Sequence, residues 1–186
     1  MLILHRHLKA AFCGIALLLC FSISSSGQTN GASKSSSTAG EKKPLSVKQI
    51  DIVGLRKALT PSSKPLLVNF WSTWCDPCRE EFPDLVKLDA EYKGKIDFIT
   101  ISLDELSEIN RDVPKFLTEM KAEMPAYLLK AQDDDAAIAV VSKEWFGALP
   151  LTILYDPSGK QIYYRQGKVK LDIVRAEIEK FLKPVN

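Results

Sequence analysis

Cys75 and Cys78, in the run Trp74-Cys75-Asp76-Pro77-Cys78, are the side chains best placed to do chemistry. A gap of two residues lets both sulfurs come within bonding distance on the first turn of a helix. A cysteine at a helix N-terminus is acidified, because unpaired backbone N–H groups and the helix dipole stabilise its thiolate. Pro77 suits such a first turn, where its missing N–H costs nothing. The chemistry expected is attack of the Cys75 thiolate on a disulfide, with Cys78 resolving the mixed disulfide. Two other uses of a cysteine pair compete. Half a zinc site would need two more ligands, and the sequence holds no second pair of this spacing. A purely structural disulfide would add little, since the stabilisation falls as the closed loop shortens. The redox reading leads.

The elements around the pair fit that use. Leu66-Leu67-Val68-Asn69-Phe70-Trp71 is a nearly continuous apolar run after the turn residues 61–65, as a buried central strand would be. A helix is expected over 76–92, closed by Gly94 and kinked at Pro83. Further strands are expected at 46–51, 96–103, 126–129, 151–155 and 161–166, the last two joined by the turn Asp156-Pro157-Ser158-Gly159. Helices are expected at 52–60, 106–122 (with Pro114 near its start), 133–144 and 171–182. The alternation predicts an α/β sandwich with a mixed central sheet flanked by helices.

Composition sets outer bounds. With 46% hydrophobic and 26% charged residues, the chain is neither a multi-span membrane protein nor wholly disordered. A net charge of +2 and no basic stripe interleaved with aromatics leave no nucleic-acid footprint. Residues 1–27 read as a signal peptide: a basic start with Arg6 and Lys9, a mostly apolar run from Ala10 to Ile23, then small residues. That run is short for a membrane span, which takes about 20 residues. A retained N-terminal membrane tether and lipidation at Cys20 are the alternatives, and Leu19 disfavours the second. Removal of this leader would take Cys13, Cys20, His5 and His7 with it, leaving Cys75 and Cys78 as the cysteines. Residues 28–44, rich in Ser, Gly and Lys, read as a flexible linker. The domain proper is expected over 45–186.

The segment Asn69-Phe70-Trp71-Ser72-Thr73-Trp74-Cys75-Asp76-Pro77-Cys78-Arg79-Glu80-Glu81-Phe82-Pro83 resembles the active-site region of the TlpA/ResA-like thioredoxins. The segment from Gly147 to Asp156 resembles the same family's proline loop and following strand. The resemblance implies a thioredoxin-like three-layer sandwich and an exported, usually membrane-tethered thiol–disulfide oxidoreductase. It makes Cys75 the exposed nucleophile and Cys78 the buried resolving thiol. Pro150 becomes the cis-proline facing the disulfide, with Leu149 beside it at a position that touches partners. Glu81 matches a glutamate credited with proton transfer, the alternative being a solvated helix-surface carboxylate. Asn69 stands where many thioredoxins carry a buried aspartate. Trp71 is expected in the core and Trp74 at the rim, shielding the thiols. No cofactor is implied beyond the redox-active cysteine pair. The implied partners are disulfide-bearing exported proteins and an upstream membrane thiol reductant, in an extracytoplasmic location.

Direction is weighed from the dipeptide. Asp76-Pro77 places a carboxylate between the cysteines and disfavours the thiolate by like-charge repulsion. That favours a reductase over a disulfide-forming oxidase, since strong oxidants stabilise a very acidic thiolate. Peroxiredoxin chemistry is disfavoured, because Val68 stands where that motif needs a proline. A metallochaperone or binding module on the same fold is the alternative outside enzymes, and copper handling there would want a histidine that the processed chain would lack.

Overall fold

The computed structural model describes residues 45–183. The leader and linker expected at 1–27 and 28–44 lie outside the described residues, as do positions 184–186. Twelve elements run in the order β1 (Val47–Ile50), α1 (Ile52–Ala58), β2 (Leu66–Trp71), α2 (Asp76–Glu91), β3 (Asp97–Ser102), a 3₁₀ turn (Leu106–Glu108), α3 (Asp112–Glu119), β4 (Ala126–Leu129), α4 (Asp134–Val141), β5 (Leu151–Tyr155), β6 (Gln161–Gln166) and α5 (Leu171–Leu182). The strands form one sheet ordered β1-β4-β3-β2-β5-β6. β1, β4, β3 and β2 are parallel, β5 runs antiparallel to them, and β6, antiparallel to β5, returns to their direction. This is the expected mixed sheet, with β2 at its centre and buried along its whole length.

Alternation along β2 divides the core in two. Leu67 and Trp71 point to one face, where they meet Leu85 and Leu88 of α2, Phe116 and Leu117 of α3, and Val174 and Ile178 of α5. Leu66, Val68 and Phe70 point to the other, against Leu55 of α1 and Ala137 and Val141 of α4. Helices therefore cover both faces, and the sandwich has three layers. Asn69 shares the parity of Leu67 and Trp71, which sets a polar side chain on the α2 face. Its register partners are Thr100 on β3 and Thr152 on β5, so a polar row crosses three strands under α2.

Three expected helices are shorter than their patterns suggested. The stretch 106–122 splits into the 3₁₀ turn and α3, with Pro114 third in α3. Proline is tolerated in a first turn and opposes any helix continuing back through it, so α3 starts only just before it. The helix expected to reach Glu144 ends at Val141, and Ser142 Oγ instead accepts from the Glu144 N–H at 3.1 Å. The first helix stops at Ala58 rather than residue 60. Pro83, by contrast, lies inside α2 without ending it.

Candidate active site

The parallel strands point their C-terminal ends at one edge of the sheet, where open α/β sheets place their ligands. β2 ends there at Trp71, and Ser72-Thr73-Trp74 carries the chain into α2. Cys75 is the N-cap of α2, its Sγ taking the Cys78 N–H at 3.3 Å. Asp76 and Pro77 fill the first helical positions. Cys75 and Cys78 are joined in a disulfide, their Cα atoms 5.3 Å apart. Cys75 keeps 6% exposure and Cys78 has none. On reduction, a Cys75 thiolate would face the unpaired N–H groups of the first turn, which stabilise it.

The loop before the cysteines is held from outside the motif. Asp104, just beyond β3, is 2% exposed. It accepts from the Thr73 N–H at 3.0 Å, the Thr73 hydroxyl at 2.5 Å and the Ser102 hydroxyl at 2.6 Å. The Leu103 N–H donates to the Trp71 carbonyl at 2.8 Å. Arg79 reaches back to donate to the Thr73 carbonyl at 3.2 Å and lies over the Phe116 ring at 5.2 Å. Both sides of Thr73 are thereby fixed, and with them the approach to Cys75.

The antiparallel register of β2 and β5 pairs Phe70 with Leu151, which brings the residue before β5 to the same edge of the sheet. That residue is Pro150, and the Leu149–Pro150 peptide bond is cis. The Pro150 carbonyl accepts from the Gly167 N–H at 2.8 Å, and the Trp145 indole N–H closes the preceding loop onto the Ala148 carbonyl at 2.8 Å. Leu149 and Trp74, the neighbour of Cys75, line one cleft of about 260 Å³. Trp74 is 69% exposed, so much of its indole faces solvent at the rim. Trp71 is fully buried among Phe82 and Phe116.

Glu81 stands one turn after Cys78 on the same side of α2. It is 5% exposed, which removes the solvated-surface alternative. Its Oε1 accepts from Asn69 Nδ2 at 3.1 Å and its Oε2 from the Val169 N–H at 2.8 Å. Burial pushes its carboxyl above the ordinary glutamate range, partly offset by those two donors and by the nearby Lys168 ammonium. Lys168 itself pairs with Glu80.

The family model for thioredoxin matches residues 47–118. The fold is thioredoxin-like. Among named relatives, the thiol-disulfide oxidoreductase ResA of Oceanobacillus iheyensis is 33% identical over 110 residues, 59% of this chain and 53% of that protein. The chain spans about half the length of the first curated relatives it matches. A thiol:disulfide interchange protein from Bacteroides sp. superposes with a TM-score of 0.54 at 27% identity, over 71% of this chain and 80% of that one. The thioredoxin domain of a thiol-disulfide oxidoreductase from Bacteroides vulgatus gives 0.53 at 26%, over 68% and 84%. The similarity to a ResA thiol-disulfide oxidoreductase thus reaches beyond the cysteine segment, over 110 residues of the chain.

Within that fold, α2 carries Cys75, Cys78 and Glu81 together, and β5 brings Leu149 and Pro150 to the same edge. Sequence reasoning did not single out Asp104, Thr152 or Val169. Asp104 left one trace, the first of two adjacent carboxylates, Asp104 and Glu105, directly after the apolar run of β3. Val169 contributes only a backbone N–H, which has no residue signature.

Proposed function

We propose that this chain is a thiol–disulfide oxidoreductase that reduces disulfides of exported partner proteins. The observation that carries the reading is a disulfide-forming cysteine pair whose first member caps a buried-strand-to-helix turn. In the reductive direction the Cys75 thiolate attacks one sulfur of the partner's disulfide. A Cys75–partner bond forms, the partner S–S bond breaks, and the released partner thiolate takes a proton. Cys78 then gives up its proton and attacks Cys75 Sγ. The second partner thiolate leaves and is protonated. Two electrons and two protons have passed to the partner, and the Cys75–Cys78 disulfide must be reduced again by an upstream thiol. Glu81, buried and on the Cys78 side of α2, is the group proposed to take the Cys78 proton. The pair is its own redox group and needs no cofactor. Trp74, Leu149 and Pro150 are the surface offered to the partner chain. Reduction rather than oxidation is favoured by Asp76, whose charge works against the Cys75 thiolate.

The proposal includes export by residues 1–27, with work in the extracytoplasmic space. A reporter fused after residue 43 should leave the cytoplasm, and its retention there would sink this part. The chemistry is tested by reduction of insulin disulfides with dithiothreitol as the thiol source. Cys75→Ser should abolish it and Cys78→Ser should accumulate mixed disulfides. Full activity in Cys75→Ser would remove the mechanism. A potential near that of the strong periplasmic oxidants, about −120 mV, would overturn the direction.

A further inference from the structure

Asn69 is 1% exposed in the middle of β2. Its Nδ2 makes both of its donations inside the site, to Glu81 Oε1 and to Thr152 Oγ1, each at 3.1 Å. Its Oδ1 is buried and has no hydrogen-bond partner among the described residues. An unmet buried acceptor is uncommon and destabilising, so this carbonyl calls for a physical reason. Thr100, the register partner of Asn69 on β3, lies on the same face by alternation, and its hydroxyl is buried without a partner too.

The two oxygens of Glu81 are held by donors of different kinds. Oε2 takes a backbone N–H, from Val169, which can only donate. Oε1 takes a side-chain amide, which can present either a donor end or an acceptor end. The other partner of that amide is a hydroxyl, which can also donate or accept. A proton on Oε1 is therefore accommodated by one motion. A half-turn of the Asn69 amide puts Oδ1 where Nδ2 stood, and there it accepts from Glu81 O–H and from Thr152 O–H together. The ionised and the neutral forms of Glu81 each find matching partners, although Asn69 itself never titrates.

We propose that Asn69 is a positioning residue for proton exchange at Glu81: its amide holds the carboxylate while Glu81 is ionised and turns over when Oε1 carries the proton. The inference rests on the oxidoreductase reading for its use, since the proton gained by Glu81 is the one Cys78 gives up on becoming a thiolate. The titratable groups facing Glu81 from other elements are Lys168 from the β6–α5 connection and the Tyr163 phenol from β6, and Cys78 stands one turn before it on α2. Of these, Lys168 favours the ionised form, as do the Asn69 and Val169 donors.

The test is a pH titration of the isotope-labelled full chain in its disulfide form, where neither cysteine titrates. The Glu81 carboxyl-carbon resonance should show a midpoint above the ordinary glutamate range. The Asn69 side-chain amide resonances should move with that same midpoint. Asn69→Ala should raise the Glu81 midpoint, because the lost donation to the charged carboxylate is a stronger bond than the lost acceptance from its neutral form. An Asn69 amide that stays still through the Glu81 titration overturns the proposal, and that measurement needs only the natural chain if Asn69→Ala does not fold. A Glu81 midpoint unchanged in a folded Asn69→Ala overturns it as well. Insulin reduction by the same preparation keeps the two readings apart. Active protein with an unresponsive Asn69 removes this inference alone, and inactive protein with a responsive Asn69 removes the oxidoreductase reading alone.

Discussion

Asp104 and Glu81 are both buried carboxylates at the redox edge of the sheet, and they are provided for very differently. Asp104 takes a backbone N–H and two hydroxyls, all from the loop and strand it ties together. Glu81 takes one donor on each oxygen, one of them able to turn round, and burial raises its carboxyl above the ordinary range. The first arrangement ties a loop to a strand and fixes the backbone before Cys75. The second suits the proton exchange proposed for Glu81, one turn after Cys78 on α2. Burial alone does not assign a role to a carboxylate; the number and kind of its donors do.

The sharpest way to break this contrast is to remove each group in turn. Asp104→Ala strands the half-buried Thr73 N–H and hydroxyl and the buried Ser102 hydroxyl. Unmet buried donors cost about 1–3 kcal/mol each, so a loss of about 3 kcal/mol or more is expected in urea unfolding. Asp104→Asn, which keeps one oxygen acceptor, should lose less. Glu81→Gln should cost far less stability but lower the rate of insulin reduction about tenfold or more at neutral pH, the scale of a lost proton-transfer group. If the two variants lost stability equally and Glu81→Gln kept full activity, the division of roles would fail.

A pH series sharpens the same contrast at smaller amplitude. Glu81 is an acid whose folded value is raised, so the folded state binds more protons than the unfolded one across that window. Its contribution to stability is fully present below the ordinary glutamate value and is lost as pH rises through the raised one. Melting temperature compared between the natural chain and Glu81→Gln should show a difference that grows across this window in the variant's favour. A difference that stays flat with pH would show that Glu81 is not raised.

Much of this was legible in the sequence, and the missing parts share a cause. The strand–Cys–Pro–Cys–helix passage is local: apolar run, motif and helix signals lie within about two dozen residues, and the order of elements follows from it. The thioredoxin-like sandwich was expected and is found. What stayed hidden depends on partners far apart in the chain. Asp104 meets Thr73 across 31 positions. Asn69 meets Thr152 across 83, through a β2–β5 register that no single sequence declares. Glu81 could not be told from a surface carboxylate because its burial depends on the β6–α5 connection, 88 positions away. The helix expected over 106–122 differs for another reason: Pro114 belongs in a first turn, so the helix begins at Asp112 and not at 106.

The smallest expected effect concerns a third carboxylate, which is exposed. Asp76 is the first residue of α2 and shares the helix N-terminus with Cys75. Its negative charge opposes the Cys75 thiolate, and a less stabilised thiolate means a less stabilised reduced form. Asp76→Asn should therefore lower the Cys75 pKa and make the pair more oxidising. Water screens an exposed charge, whose pairwise effects are small. The change should stay below about 30 mV in a dithiothreitol or glutathione equilibrium titration. It should also shrink with salt, because the screening length falls from about 10 Å at 0.1 M to about 3 Å at 1 M. A shift in the opposite direction would reverse the role given to Asp76. A shift of full size at high salt would mean that Asp76 acts through a direct contact on α2 and not through its charge.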